Sequence, residues 1–200
     1  EEVHDEVVKY LKEEVKNLDP DYKAFGRIVN DRHFARLKNL IHKDKVIFGN
    51  EIDEASKFIS PTLLDNVSWD DLVMKEEIFG PILPILTFKK LNDVIKVVKE
   101  QEKPLALYMF SNDNKSITKV FNEISFGSGA INDTLMQVAN PNLPFGGVGF
   151  SGMGNYHGYA SFLTFSNQKT YTRKTNLFDL KIAYPPYTKN KEKWIKRFMK

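Results

Sequence analysis

The 200-residue chain contains no cysteine. That excludes a disulfide framework, a thiolate metal site and a cysteine nucleophile within these residues. Long apolar runs are missing as well: no stretch reaches the roughly 18–20 apolar residues that span a bilayer. The opening Glu1-Glu2-Val3-His4 has neither the basic start nor the apolar core of a signal peptide. Neither sign of charge dominates, with 29 Lys and Arg against 26 Asp and Glu and a net charge of +3. This balance excludes a disordered polyelectrolyte and a dedicated nucleic-acid binder, which needs a concentrated basic face. Histidine is sparse too, and residues 4, 33, 42 and 157 have no ligand spacing, so no metal site is expected. What remains is 42% hydrophobic residues, enough for a core of one ordinary domain, or one domain plus an arm. The expectation is a soluble cytoplasmic protein. Because the chain starts at Glu1 and enters a helical pattern at once, a piece of a longer polypeptide is expected.

Apolar residues at Val3, Val7, Leu11, Val15 and Leu18 recur in steps of three and four and predict an amphipathic helix over 3–18, ended by Asp19-Pro20-Asp21. After Gly26-Arg27-Ile28-Val29, an Asn30-Asp31 cap leads into a second helix carrying Phe34, Leu37, Leu40 and Ile41. Short strands are expected at Val46–Phe48 and Lys57–Ile59. The middle alternates an apolar run at Ile82–Phe88, a helix at Asn92–Lys99, an apolar run at Leu105–Phe110, a helix carrying Ile117, Val120, Phe121 and Ile124, and a strand at Gly129–Ile131. Short connections between strand and helix are what a parallel sheet requires, so the fold class is α/β, a parallel open sheet flanked by helices. Ligands in such sheets sit beyond the carboxyl ends of the strands, here near Asn132-Asp133-Thr134.

Six of the eleven glycines fall between residues 146 and 158. Within them Gly147-Val148-Gly149-Phe150-Ser151-Gly152 fits G-x-G-x-x-G, but no buried strand leads directly into it and no helix follows directly, so a structural glycine loop is expected. Ser151 lacks the second flanking glycine of a nucleophile elbow, since position 153 is Met153. His4 and His33 are read as solvated helix residues, and His157 as either a packed histidine or one near a pocket. Glu76-Glu77-Ile78-Phe79-Gly80-Pro81 precedes a buried strand; Glu77 is either a solvated charge or, with Phe79 beside it, a group that holds ribose hydroxyls next to a ring that packs on a flat cofactor. Phe162–Lys174, with Thr164, Thr170, Tyr171 and Thr172, reads as an extended edge strand open to another chain. Beyond Pro185-Pro186, the segment from Lys189 to Lys200 is a short basic tail carrying Trp194 and Phe198; it is either a solvated terminus or a weak peripheral contact with a membrane surface.

Taken together, Glu76–Pro81, Lys103-Pro104-Leu105-Ala106-Leu107-Tyr108, Leu143–Gly149, Ser151–Gly154 and Tyr156-His157-Gly158 resemble the aldehyde dehydrogenases, and within them the class 3 and fatty-aldehyde branch. The agreement of order and spacing runs from Gly26 to Tyr184-Pro185-Pro186 and is more specific than any single motif. The resemblance implies a catalytic-domain fold with NAD or NADP as cofactor. It makes Glu77 the residue that holds the nicotinamide ribose and Phe79 the ring beside the nicotinamide. It places Thr134 at the start of a loop to Pro141 that, with Phe145 and His157, lines the aldehyde pocket. It implies partition into a partial catalytic domain over 1–158, an extended oligomerisation strand over 159–176 that pairs in a homodimer, and a basic tail over 177–200.

In that family a cysteine thiolate attacks the aldehyde, hydride passes to NAD(P), and a glutamate helps hydrolyse the thioester. Both the cysteine and the glutamate are expected upstream of Glu1, so the resemblance implies a carboxyl-terminal half that is inactive alone. The aldehyde expected is long-chain or aromatic. Two other pictures stay open: a separately encoded half that complements an amino-terminal half, and a non-enzymatic binding module.

Overall fold

The computed structural model describes residues 1–18 and 21–199; the expected break at Asp19-Pro20 lies outside them. The first amphipathic pattern forms helix α1 (His4–Leu18), and Asn30 caps α2 (Asp31–Leu40) by accepting a hydrogen bond from the His33 amide through its side chain at 2.8 Å. Strands β1 (Val46–Phe48), β2 (Ile52–Asp53), β3 (Phe58–Ile59) and β4 (Thr62–Leu64) follow. Then come β5 (Ile82–Pro84), α3 (Leu91–Glu100), β6 (Ala106–Met109), α4 (Asn114–Glu123), β7 (Ser128–Ile131), α5 (Met136–Ala139), α6 (Gly158–Thr164) and α7 (Lys189–Phe198). The fold is α/β, as the alternation of patterns requires.

The sheet is divided. Strand β4 lies between antiparallel β1 and parallel β5, β2 and β3 form an antiparallel pair, and β6 and β7 form a separate parallel pair. The apolar run Ile82–Phe88 reads as one strand of a parallel sheet; in the structure β5 ends at Pro84 and runs parallel to β4, while β6 pairs with β7. Pro84 lacks the N–H needed to continue a ladder, although Ile85 N–H still donates to Leu64 O at 2.8 Å.

Two apolar clusters hold these elements. The larger joins Phe34, Leu37 and Leu40 of α2 to Ile59 of β3, Leu64 of β4 and Ile82 of β5. Each such fully buried Leu, Ile or Phe contributes about 1.5–3 kcal/mol relative to exposure. The smaller cluster packs Ile95 of α3 against Val120 and Ile124 at the end of α4, with Leu107 and Met109 of β6 beside them. The crossover α4 starts at Asp113, whose carboxylate accepts from the Ser116 hydroxyl at 2.6 Å and from the amides of Lys115 and Ser116. These bonds hold its pKa below the ordinary carboxylate value, the Ser116 hydroxyl first among the causes.

The segment after Gly158 corrects the sequence reading. Residues 159–164 were expected to be extended but are helical in α6, because the Ser161 hydroxyl accepts from the His157 amide at 2.8 Å and closes the first turn. The Thr164 hydroxyl then donates to Asn155 O at 2.6 Å and ties the helix end to the glycine-rich loop. Residues 167–175 carry no helix or strand. The basic tail is also ordered into a helix, α7, started by Thr188, with Trp194 stacked on Phe198 one turn on.

Candidate functional site

The Glu76–Pro81 segment enters β5 as a loop that packs Ile78 against the larger core and leaves Glu76, Glu77 and Phe79 exposed. Glu77 is exposed, and the ring of Phe79 is 72% exposed. Phe79 has φ +48°, a left-handed conformation that costs a bulky L-residue about 1–2 kcal/mol. Such strain persists where surrounding contacts over-determine the backbone. Here α2 supplies those contacts. The Arg36 guanidinium donates to Glu76 Oε1 at 2.6 Å, to Glu77 O at 3.4 Å and to Ile78 O. The next carbonyl, Phe79 O, bonds His33 Nε2 at 2.8 Å. Gly80 sits against buried Leu37 so closely that a Cβ there would lie 2.5 Å from Leu37 Cδ2.

Glu77 also borders a groove of about 500 Å³ whose walls include Glu76, Lys103, Leu105, Phe150 and Ser151. Three segments quoted from the sequence, around residues 77, 104 and 150, therefore meet at one surface. The glycine-rich wall is a self-contained loop, as its sequence context implied. A Cβ on Gly147 would lie 2.1 Å from Ser151 O, and the Ser151 hydroxyl accepts from Val148 N at 2.9 Å while donating to Val148 O at 3.1 Å. Backbone and serine occupy the space that a pyrophosphate cradle leaves open.

The rings of Phe145 and His157 lie next to each other. Phe145 and Tyr156 exchange backbone hydrogen bonds at 2.9 Å each way, and this bridge brings the rings of Phe145, Tyr156 and His157 into one cluster. His157 is half-buried, and its Nδ1 bonds Leu143 O at 3.2 Å. A carbonyl only accepts, so this contact places a proton on Nδ1 and fixes the orientation of the ring. Thr134 is exposed in the turn between β7 and α5, where its amide donates to its neighbour Asp133 at 2.7 Å. None of the hydrogen bonds or ring contacts among the described residues joins Thr134 to Phe145 or His157. At the end of β7, Asn132 exchanges two hydrogen bonds with the Ser111 backbone and fixes this turn.

Two residues at the site escaped the sequence reading. His33 was read as a solvated helix residue, and Arg36 was not singled out. The available signal was their i, i+3 spacing beside Leu37 on the face of α2 that turns inward. Among the described residues no cluster of His, Asp and Glu has the geometry of a metal site.

Sequence comparison places this geometry in a family. The aldehyde dehydrogenase family model matches residues 1–171. The chain is 47% identical over 209 aligned residues to 4,4'-diaponeurosporen-aldehyde dehydrogenase of Staphylococcus aureus (strain NCTC 8325 / PS 47), covering 100% of this chain and 45% of that protein. It is 45% identical to aldehyde dehydrogenase family 3 member A2 of Rattus norvegicus, covering 98% of this chain and 42% of the relative. Among solved structures, a substrate-bound Staphylococcus aureus AldH superposes with TM-score 0.85 at 47% identity, over 100% of this chain and 45% of that one. The chain belongs to the aldehyde dehydrogenase family and resembles its class 3 branch. It spans less than half the length of the curated relatives it matches.

Proposed function

We propose that this chain is the carboxyl-terminal half of an NAD(P)-dependent aldehyde dehydrogenase and forms one wall of its cofactor and aldehyde sites. The observation that carries the reading is the Glu76–Pro81 loop, which presents a carboxylate and an exposed ring together beside a groove. An ionised carboxylate is acceptor-only, which suits the two hydroxyl donors of a ribose. A ring left open to solvent suits a flat heteroaromatic partner. These residues fit the nicotinamide-ribose end of a dinucleotide; the closed loop at Gly147 does not fit its pyrophosphate. When bound, the nicotinamide supplies the hydride acceptor. Glu77 then holds the ribose, Phe79 limits the tilt of the ring, and the Phe145–His157 cluster with Thr134 borders the aldehyde.

The aromatic lining favours a long-chain or aromatic aldehyde, in keeping with the apolar substrate named for the Staphylococcus aureus relative. With no cysteine in the chain, the thiolate that attacks the carbonyl must come from outside these residues. The chain is thus inactive alone. Residues 167–175, with Tyr171 85% exposed, are the segment offered to a second copy in a homodimer. No helix among the described residues is long and apolar enough to cross a membrane.

The test is aldehyde-dependent NAD(P)H formation by the purified 200-residue chain and by the complete enzyme that contains it, with benzaldehyde and decanal as substrates and NAD+ and NADP+ as separate cofactors. The expected result is turnover by the complete enzyme and none by the isolated chain. Turnover by the isolated, purified chain sinks the assignment of an incomplete site.

A further inference from the structure

We infer that His33 and Arg36 of α2 are positioning residues that set the nicotinamide-facing loop. The inference rests on the reading of Glu77 and Phe79 given above. The carbonyls of five consecutive residues account for themselves in two ways. Those of Gly80 and Pro81 accept from backbone amides, of Ile82 at 2.9 Å and Thr62 at 2.8 Å. Those of Glu77, Ile78 and Phe79 accept instead from the Arg36 guanidinium and the His33 ring. The part of the loop that carries the two proposed cofactor residues is therefore held by side chains of one helix rather than by a ladder.

The pair acts as a unit. Arg36 Nε–H donates to His33 Nδ1 at 3.3 Å, so the ring proton sits on Nε2 and points at Phe79 O. The guanidinium is a planar fork whose remaining N–H groups reach two successive carbonyls and the Glu76 carboxylate, which an ammonium on a flexible stem does not reproduce. Helix α2 is itself anchored, since Phe34 and Leu37 are buried in the larger core and Asn30 caps its start. Phe79 stays left-handed with its ring outward because its carbonyl, and the two before it, are tied to a rigid element. Loss of either donor frees the loop to relax toward an ordinary conformation, which turns the ring and the Glu77 carboxylate from their places.

The experiment uses the complete dehydrogenase with Arg36→Lys, His33→Asn, His33→Gln, Glu77→Gln and, as a control on the same helix, exposed Arg32→Lys. Gln at position 33 keeps an amide N–H near the place of Nε2, whereas Asn puts it near Nδ1. The readouts are the Kd for NAD+ and NADP+, the single-turnover rate of hydride transfer, the KM for decanal, and hydrogen exchange of residues 76–81. Arg36→Lys and His33→Asn are expected to weaken cofactor binding and slow hydride transfer about tenfold, as misplacement of reacting partners does, with faster exchange in 76–81 and little change in aldehyde KM. His33→Gln is expected to recover most of the loss, and Arg32→Lys to behave as wild type. Unchanged cofactor binding and hydride transfer in Arg36→Lys and His33→Asn overturn the inference, as does a uniform rise in aldehyde KM together with the cofactor Kd. If Glu77→Gln is impaired while those two are not, the inference falls and the reading of Glu77 stands. If those two are impaired while Glu77→Gln is silent, the loop is positioned for Phe79 and the ribose role of Glu77 falls.

Discussion

Gly80 separates packing from backbone freedom at the scale of one residue. Its φ is not in the left-handed region, yet a Cβ would lie 2.5 and 2.6 Å from the two methyl carbons of Leu37, which is fully buried. Leu37 is enclosed by the larger core on its other sides, so Gly80→Ala is expected to overpack the contact between loop and helix. The expected cost is about 1–3 kcal/mol, read as a lower denaturation midpoint in the complete enzyme. Asp113 gives a second prediction, because it caps the crossover helix with two backbone amides and a hydroxyl. Asp113→Ala is expected to lose about 0.5–2 kcal/mol, and Asp113→Asn much less, by the same measurement. At this scale Glu77 and Phe79 drew attention only through the family resemblance of Glu76–Pro81, because a carboxylate beside a turn is by itself ordinarily solvated. The sequence hid His33 and Arg36 because an isolated histidine or arginine on a helix is ordinarily solvated, and only the chain's return 46 residues later supplies the carbonyl that His33 meets.

Helix α1 shows what a periodic pattern says about an element and what it omits. The spacing of Val3, Val7, Leu11, Val15 and Leu18 located its ends, but none of its residues is buried, and Leu18 is 73% exposed. Periodicity reports which face an element can bury and carries no information on what covers it. Contact between α1 and the rest of the chain includes His4, whose ring bonds Asp5 at 2.7 Å and Asp65 at 3.0 Å. Both partners are acceptors, so both ring nitrogens donate and the imidazolium is favoured; the bond to Asp5 is the leading cause of a raised pKa, followed by that to Asp65. A raised folded-state value means that this link stabilises the docked helix fully below the ordinary histidine value and is lost as pH rises through the raised one. Amide exchange in residues 4–18 is therefore expected to quicken over that upper window, and Asp65→Asn to narrow it; exchange in α1 that ignores pH after correction for intrinsic rate counts against the link. Helix α6 was missed for a related reason. The threonines from Thr164 onward read as extended, whereas the Ser161 hydroxyl at the His157 amide starts a helix just before them, a contact set by loop geometry rather than composition.

For the whole molecule, surface area is the informative quantity. A compact monomer of 23.1 kDa exposes about 9,700 Å² by the scaling of area with mass, and this chain exposes 15509 Å². The excess is apolar in good part: Phe150 is 84% exposed, Phe165 85%, Leu177 93% and Met153 99%. The sequence foretold the alternation of strands and helices but not that β5 and β6 belong to separate sheets, because pairing depends on which strand lies alongside and only part of that is encoded locally. An exposed apolar surface of this extent is stable in water when something covers it, and in this reading the rest of the dehydrogenase does so. The purified 200-residue chain is accordingly expected to bind 1-anilinonaphthalene-8-sulfonate strongly, to elute larger than a 23.1 kDa globule and to associate as its concentration rises. Within the complete enzyme the same residues are expected to exchange their amides slowly and to give little dye fluorescence per subunit. A compact, monodisperse, dye-silent isolated chain would show that the surface is satisfied without a partner, and the case for a half-site completed by the remainder of the enzyme would then rest on the missing thiolate alone.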